Sequence, residues 1–278
     1  MPGAPLSEVA PEVYVLRYPV LDVNATLIVG GEVAAIVDTL STDAQARELL
    51  AAVRSVTALP FVVINTHHHF DHCYGNGVLA GASPGCAIWA HEAAATELRV
   101  HGRRWQREWY EEWLPTQPEL AEGLAGVEVR PPDRTISAES TMDIGGRVLE
   151  LRHLGRGHTD GDVVVAVPDA AALLAGDLVE QGAPPSFGDS FPVDWPDTVA
   201  AMLDLTTPST VVLPGHGSAV DVDFVRAQQA ELTQLALLIR EGHRDGTPAD
   251  VVAAKAPFGH DYALTAVTRG YAQLAGHL

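Results

Sequence analysis

The chain has 278 residues, 47% hydrophobic and 19% charged, which fits a globular protein with a sizeable buried core and excludes a largely disordered one. Seventeen Lys and Arg stand against 36 Asp and Glu, a formal net charge of -19; such a surface repels phosphate backbones and anionic lipids, so neither nucleic acid nor membrane is an expected partner. Cys73 and Cys86 form no CxxC pair or disulfide framework, the first residues lack the basic and apolar regions of a signal peptide, and no apolar run approaches the roughly 20 residues of a membrane span. A cytoplasmic protein is expected.

In chain order, residues 13–18, 25–29 and 34–38 are short β-rich runs, and 42–56 has helical spacing, with Ala46, Leu49, Leu50 and Val53 on one face and Ser41 or Thr42 as cap. The apolar run 61–65 predicts a strand leading straight into Thr66-His67-His68-His69-Phe70-Asp71-His72. A helix is predicted over 91–114. Its Trp105, Trp109 and Trp113, four apart, form one stripe, assigned to core packing or a homodimer interface in preference to a substrate lid. Strands are predicted at 127–130, 141–144, 148–154, 163–167 and 172–175, the last running into Gly176-Asp177. The loop 182–196 carries Phe187, Phe191 and Trp195, which either grip an apolar acyl group or pin the loop to the body. A helix near 197–205 precedes the strand 210–213, which ends in Pro214-Gly215-His216-Gly217. The tail from Asp223 is helical, broken near 242–248 and 257–259. With no linker or repeat, one domain over 1–278 is expected, residues 223–278 being its helical C-terminal part.

Four times an apolar strand ends in His or Asp with glycine close by, at His67, His158, Asp177 and His216, which suits a common rim where loops converge. His67 and His69, two apart in extended chain, point the same way and can reach one ion; Asp71 and His72 follow at the turn and can serve another. Imidazole and carboxylate without paired thiolates are the ligands of a catalytic zinc site, not a structural one. Each histidine taken singly has a packing explanation. Together with two aspartates they point to metal. His91, His101, His153, His243, His260 and His277 have no such pattern and are assigned to surface or packing, and Cys73 to a small buried hydrophobe.

His67-x-His69-x-Asp71-His72, followed in order by Gly157-His158-Thr159, Gly176-Asp177 and Pro214-Gly215-His216-Gly217, resembles the signature of the metallo-β-lactamase-fold hydrolases over roughly residues 13 to 217. The resemblance implies an α/β fold, a four-layer αββα sandwich with the site at one edge of the paired sheets. It implies two divalent ions, zinc first with iron or manganese as alternatives: His67, His69 and His158 on one, Asp71, His72 and His216 on the other, Asp177 bridging, and His68 not a ligand. The implied activity is that of a dinuclear hydrolase in which a metal-bound hydroxide attacks a small ester, thioester or lactone carbonyl. Asp71 is given a second, catalytic role, orienting the nucleophile or passing a proton to the leaving group.

Asp177 stands where the family's β-lactamases usually have cysteine or serine, so the metal site looks like that of the glyoxalase-II and lactonase branches and β-lactam hydrolysis is a minor reading. Thr159-Asp160-Gly161-Asp162 lacks the histidine common in those branches, and the tail has few basic residues for a glutathione thioester. The same ligands can hold iron, as in the family's persulfide dioxygenases. Nucleic-acid processing is disfavoured by charge, and a non-catalytic binding role by the complete ligand set.

Overall fold

The computed structural model describes residues 5–278. Its strands are β1 (Ser7–Ala10), β2 (Val13–Tyr18), β3 (Val23–Val29), β4 (Ala34–Val37), β5 (Phe61–Ile64), β6 (Ile88–His91), β7 (Arg134–Ile136), β8 (Glu139–Asp143), β9 (Val148–Arg152), β10 (Val164–Val167), β11 (Ala172–Glu180) and β12 (Val211–His216). Its helices are α1 (Asp43–Val56), α2 (Phe70–Cys73), α3 (Asn76–Ala82), α4 (Glu92–Trp113), α5 (Pro118–Ala125), α6 (Trp195–Leu203), α7 (Val222–Asp245), α8 (Ala249–Ala253) and α9 (His260–Leu274).

Strand order runs β7-β6-β5-β4-β3-β12-β11-β10-β9-β8, with β2 and then β1 branching from β3. The N-terminal strands and the C-terminal ones meet through one register pair, His216 with Val23. Side-chain alternation turns these two halves into facing layers. Ile28, Ala35, Val37 and Ile64 pack against Leu149, Leu151, Val165, Val167 and Leu174 between the sheets. The alternate residues of the first sheet, Leu27, Ala34, Ile36 and Val63, pack on Leu49 and Val53 of α1. Those of the second, Val164, Ala166, Leu173 and Ala175, share a cluster with Val199 of α6, Leu232 and Leu235 of α7 and Val267 of α9. The result is the αββα sandwich, and burial on both faces explains why β4 and β10 are continuous apolar runs.

Thr42 caps α1, its Oγ1 accepting from Gln45 N, while Gln45 Oε1 accepts from Ser41 N. The tail breaks where expected: α7 ends at Gly246 in the left-handed region, φ 65°, and Pro257-Phe258-Gly259 separates α8 from α9.

Three expectations need correction. Residues 127–130 form no strand: Gln106 Nε2 donates to the carbonyls of Leu124 and Val127, both at 2.7 Å, and the Pro131-Pro132 that follows removes two ladder donors, so the strand forms later, as β7. Asp177 lies within a strand rather than beyond its end, because β11 runs on to Glu180 through irregular pairing with β12. β6, α3 and α5 were not anticipated; each is short, and β6 is cut from the helical pattern of α4 only by His91, whose Nδ1 caps Ala93 N.

Candidate metal centre

Every sequence-predicted ligand converges at one edge of the two sheets. β5 ends one residue before Asn65, and the turn carrying His67 and His69 is held from beneath: Thr66 N and Oγ1 donate to the two Asp38 oxygens, each at 2.8 Å, and Asn65 Nδ2 donates to Asn76 Oδ1 at 2.9 Å. Asp38 follows β4 with φ 63°, a conformation a non-glycine residue adopts at a cost, here offset by those bonds. α2 presents Asp71 and His72, the loop after β9 presents His158, and His216 is the last residue of β12.

Asp177 owes its position to two glycines. Gly176 takes φ 54°, where the register of β11 on β12 slips, and a Cβ there would lie 2.8 Å from Thr66 Cβ. A Cβ on Gly215 would overlap the Asp177 carboxylate itself.

All five imidazoles have one nitrogen fixed on the outside. His67 Nδ1 lies 3.0 Å from Thr66 Oγ1, His69 Nε2 3.0 Å from Asp189 Oδ2, His72 Nδ1 2.8 Å from Asp38 Oδ2, His158 Nδ1 3.3 Å from the Ser186 carbonyl, and His216 Nδ1 2.8 Å from the Leu21 carbonyl. The other nitrogens face inward, as in metal sites, where an outer partner sets tautomer and ring orientation. They form two groups, one with Asp177 beside His67, His69 and His158, the other of Asp71, His72 and His216. Asp177 stands between them: Oδ2 is 3.6 Å from His67 Nε2 and 3.4 Å from both His158 Nε2 and His216 Nε2, while Oδ1 is 3.2 Å from His72 Nε2. Asp71 Oδ2 lies 3.3 Å from His216 Nε2.

A divalent ion fits this set. His67 Nε2 and Asp177 Oδ1 are buried without a hydrogen-bond partner, a state that costs about 1–3 kcal/mol per group unless something charged satisfies it. His69 Nδ1 and His158 Nε2 approach to 2.9 Å, and His72 Nε2 and His216 Nε2 to 3.2 Å, so each pair of lone pairs needs a proton or cation between them. Without metal the cluster titrates unevenly. Burial pulls His67 well below its ordinary value and takes His158 to about 4. Burial also opposes the charge on His69, but the adjacent Asp189 carboxylate holds it up at about 9. Asp71 falls to about 2 and Asp177 well below the usual range, because His72 and His216 outweigh the cost of burying them.

His68 belongs to neither group; its Nε2 lies 3.4 Å from Asp189. Cys73 turns away from the centre, its thiol donating to the carbonyls of His68 and His69 at 3.2 and 3.0 Å. His91 and His153 stack at 3.9 Å, a packing pair. Asp162, where the branch pattern puts histidine, ties the turn: Thr159 N and Oγ1 donate to it at 2.8 Å each, and burial pushes its carboxyl up to about 8.

Four contributions escaped the sequence. Asp38 supports His72, and its signal was present, a polar residue closing an apolar strand as at the other stations. Asp189 supports His69 from an irregular loop and had no such signal. Glu180, three residues beyond Asp177, groups with Asp177 and His216. The tryptophan stripe does two things: Trp109 and Trp113 pack on the buried cluster of Phe70, Leu98 and Leu120, as core packing predicts, and all three rings, Trp105 included, also line the cavity over the centre. The aromatics of loop 182–196 do not line it. Phe187 and Trp195 are buried in the core and pin the loop, leaving Gly182, Pro184, Gly188 and Asp189 to face the cavity.

Comparison with known proteins agrees with this geometry. A family model described as the metallo-beta-lactamase superfamily matches residues 18–216. A metallo-beta-lactamase type 2 of Bacteroides fragilis is 24% identical over 198 residues, covering 70% of this chain and 68% of the relative. An uncharacterized protein of Mycobacterium tuberculosis is 26% identical over 179 residues, covering 60% of this chain and 73% of its own. Among solved structures, the DIM-1 metallo-beta-lactamase superposes with a TM-score of 0.64 at 19% identity, covering 84% of this chain and 98% of that one. A metallo-beta-lactamase from Pontibacter korlensis gives 0.62 at 20% identity, covering 82% and 98%. With the family model spanning most of its length and the ligand residues gathered at the sheet edge, the chain belongs to the metallo-beta-lactamase superfamily.

Proposed function

We propose that the protein is a dinuclear metal-dependent hydrolase of a small ester, thioester or lactone. The observation that carries this reading is the arrangement of five imidazoles, each fixed outside and open inside, around Asp177. His67, His69 and His158 would hold one ion, Asp71, His72 and His216 the other, with Asp177 shared; nitrogen and oxygen donors suit zinc, and iron or manganese next. When bound, such ions polarise a carbonyl and acidify water toward neutrality.

The chain's own residues do the rest. Asp71 is a carboxylate at the cavity wall beside His216, free on one oxygen to orient the attacking water or hand its proton to the leaving group. Asp38 and Asp189 keep His72 and His69 in one tautomer. The tryptophan wall screens the reacting carbonyl from bulk water.

The test is elemental analysis of the purified protein together with turnover of a thioester, lactone, ester and β-lactam panel. About two zinc per chain with turnover of one carbonyl class supports the reading. Stoichiometric iron with oxygen uptake would replace it with an oxidoreductase. β-Lactam hydrolysis is the second reading, favoured by the similarity to the Bacteroides fragilis metallo-beta-lactamase type 2; preferential turnover of the β-lactam would select it.

A further inference from the structure

The cavity over the centre measures about 760 Å³, room for a substrate well beyond the reacting carbonyl. Its composition is one-sided. Trp105, Trp109 and Trp113 supply an aromatic wall from α4, and Tyr262 of α9 joins the lining. Apart from the residues assigned to metal, the carboxyl side chains on its surface are Asp22, Glu112, Glu180 and Asp189, and among the described residues no Lys or Arg lines it.

Three arginines that touch lining residues are already engaged. Arg17 donates to both Asp22 oxygens. Arg269 donates to the Asp189 and Ser190 carbonyls, each at 2.8 Å. Arg104 lies over the Trp105 ring and pairs with Glu108. Glu112 and Glu180 have no ion-pair partner among the described residues. A carboxylate or phosphate at the far end of the substrate, beyond the ions at the reacting carbonyl, would therefore leave water with no further cation to meet it, beside Glu112 and inside a molecule of net charge -19.

We propose that this cavity selects substrates whose acyl chain is apolar and uncharged, and rejects those carrying a second, anionic group. The inference rests on the hydrolase reading for its substrate class, but not for its selectivity, which belongs to the cavity wall.

The zinc-loaded enzyme is assayed with p-nitrophenyl hexanoate and with the p-nitrophenyl monoester of adipic acid, equal in length and differing by a terminal carboxylate. In parallel, hexananilide and adipic monoanilide, amides of the same shapes, are titrated against tryptophan fluorescence. The expected result is a preference of about tenfold or more in kcat/KM for hexanoate, and tighter binding of the neutral anilide. Substituting Glu112→Lys on the exposed side of the wall should narrow both ratios. Equal handling of the pairs, or preference for the anionic member, overturns the proposal, as does a ratio that Glu112→Lys leaves unmoved. Failure to cleave either ester would count against the hydrolase reading, and the anilide titration would still decide the selectivity.

Discussion

Gly215 lies so close to Asp177 that a Cβ at position 215 would occupy the space of the carboxylate oxygen Oδ1. The carboxylate reaches its place between the two histidine groups only because β12 offers bare backbone there. Gly215→Ala should therefore displace Asp177 with little change elsewhere. Metal content should fall below one ion per chain, activity should fall about 100-fold or more, and overpacking should cost about 1–3 kcal/mol in chemical denaturation. Normal metal content in this variant would show that Asp177 tolerates displacement.

Asp177→Ala and His68→Ala separate ligand from neighbour. The first removes the carboxylate that, among the described residues, lies against histidines of both groups, and should abolish most activity and reduce metal content. The second removes a ring outside both groups, so metal content should stay near normal. Elemental analysis checks both, and like behaviour would refute the ligand assignment.

The carboxylates behind the histidines should matter almost as much as the ligands. Asp38→Asn and Asp189→Asn keep shape but remove the charge that accepts from His72 Nδ1 and His69 Nε2. A loss of about 10- to 100-fold in metal affinity is expected for each, measured by competition with a chromogenic chelator. Arg269→Ala, which frees the Asp189 carbonyl from α9, should give a smaller loss in the same direction.

The thiols should be silent. Burial pushes Cys86 up to about 11 and Cys73 well above its ordinary value, and the thiolate is the reactive form. At pH 7.5 a disulfide reagent should titrate neither cysteine in the native protein and both after denaturation. Raising the pH toward 11 should bring in Cys86 first. Rapid labelling of Cys73 at neutral pH would mean that the turn at His68 and His69 opens.

His67, Asp177 and His216 were legible because each follows, interrupts or ends a run of buried apolar residues, and His67 and His69 share the spacing of extended chain; Asp71 and His72 in α2 and His158 in the loop after β9 were legible through their motifs. The layers were legible for a related reason: β4, β10 and the start of β11, residues 172–175, are buried on both faces and so are continuously apolar. What escaped depends on contacts far apart in sequence. Nothing near Asp189 announces that its partner is His69, 120 residues earlier. The tryptophan stripe of α4 has the pattern of a packing face, and only the path of the loop after β11 makes it a cavity wall. Residues 127–130 have the composition of a strand and lose that fate to the side chain of Gln106.

The seam between the sheets has a consequence for the order of events during folding. The first sheet and its loops bring His67, His69, Asp71 and His72, and the second brings His158, Asp177 and His216, while among the described residues strands of the two halves pair only where His216 meets Val23. His72 and His216, which face each other at 3.2 Å, are 144 residues apart in the chain. Contacts of that sequence separation close late, after each half has collapsed on its own helices. Capture of metal by the whole set would therefore mark the end of folding rather than its beginning, acting as a clasp fastened once the two halves have met.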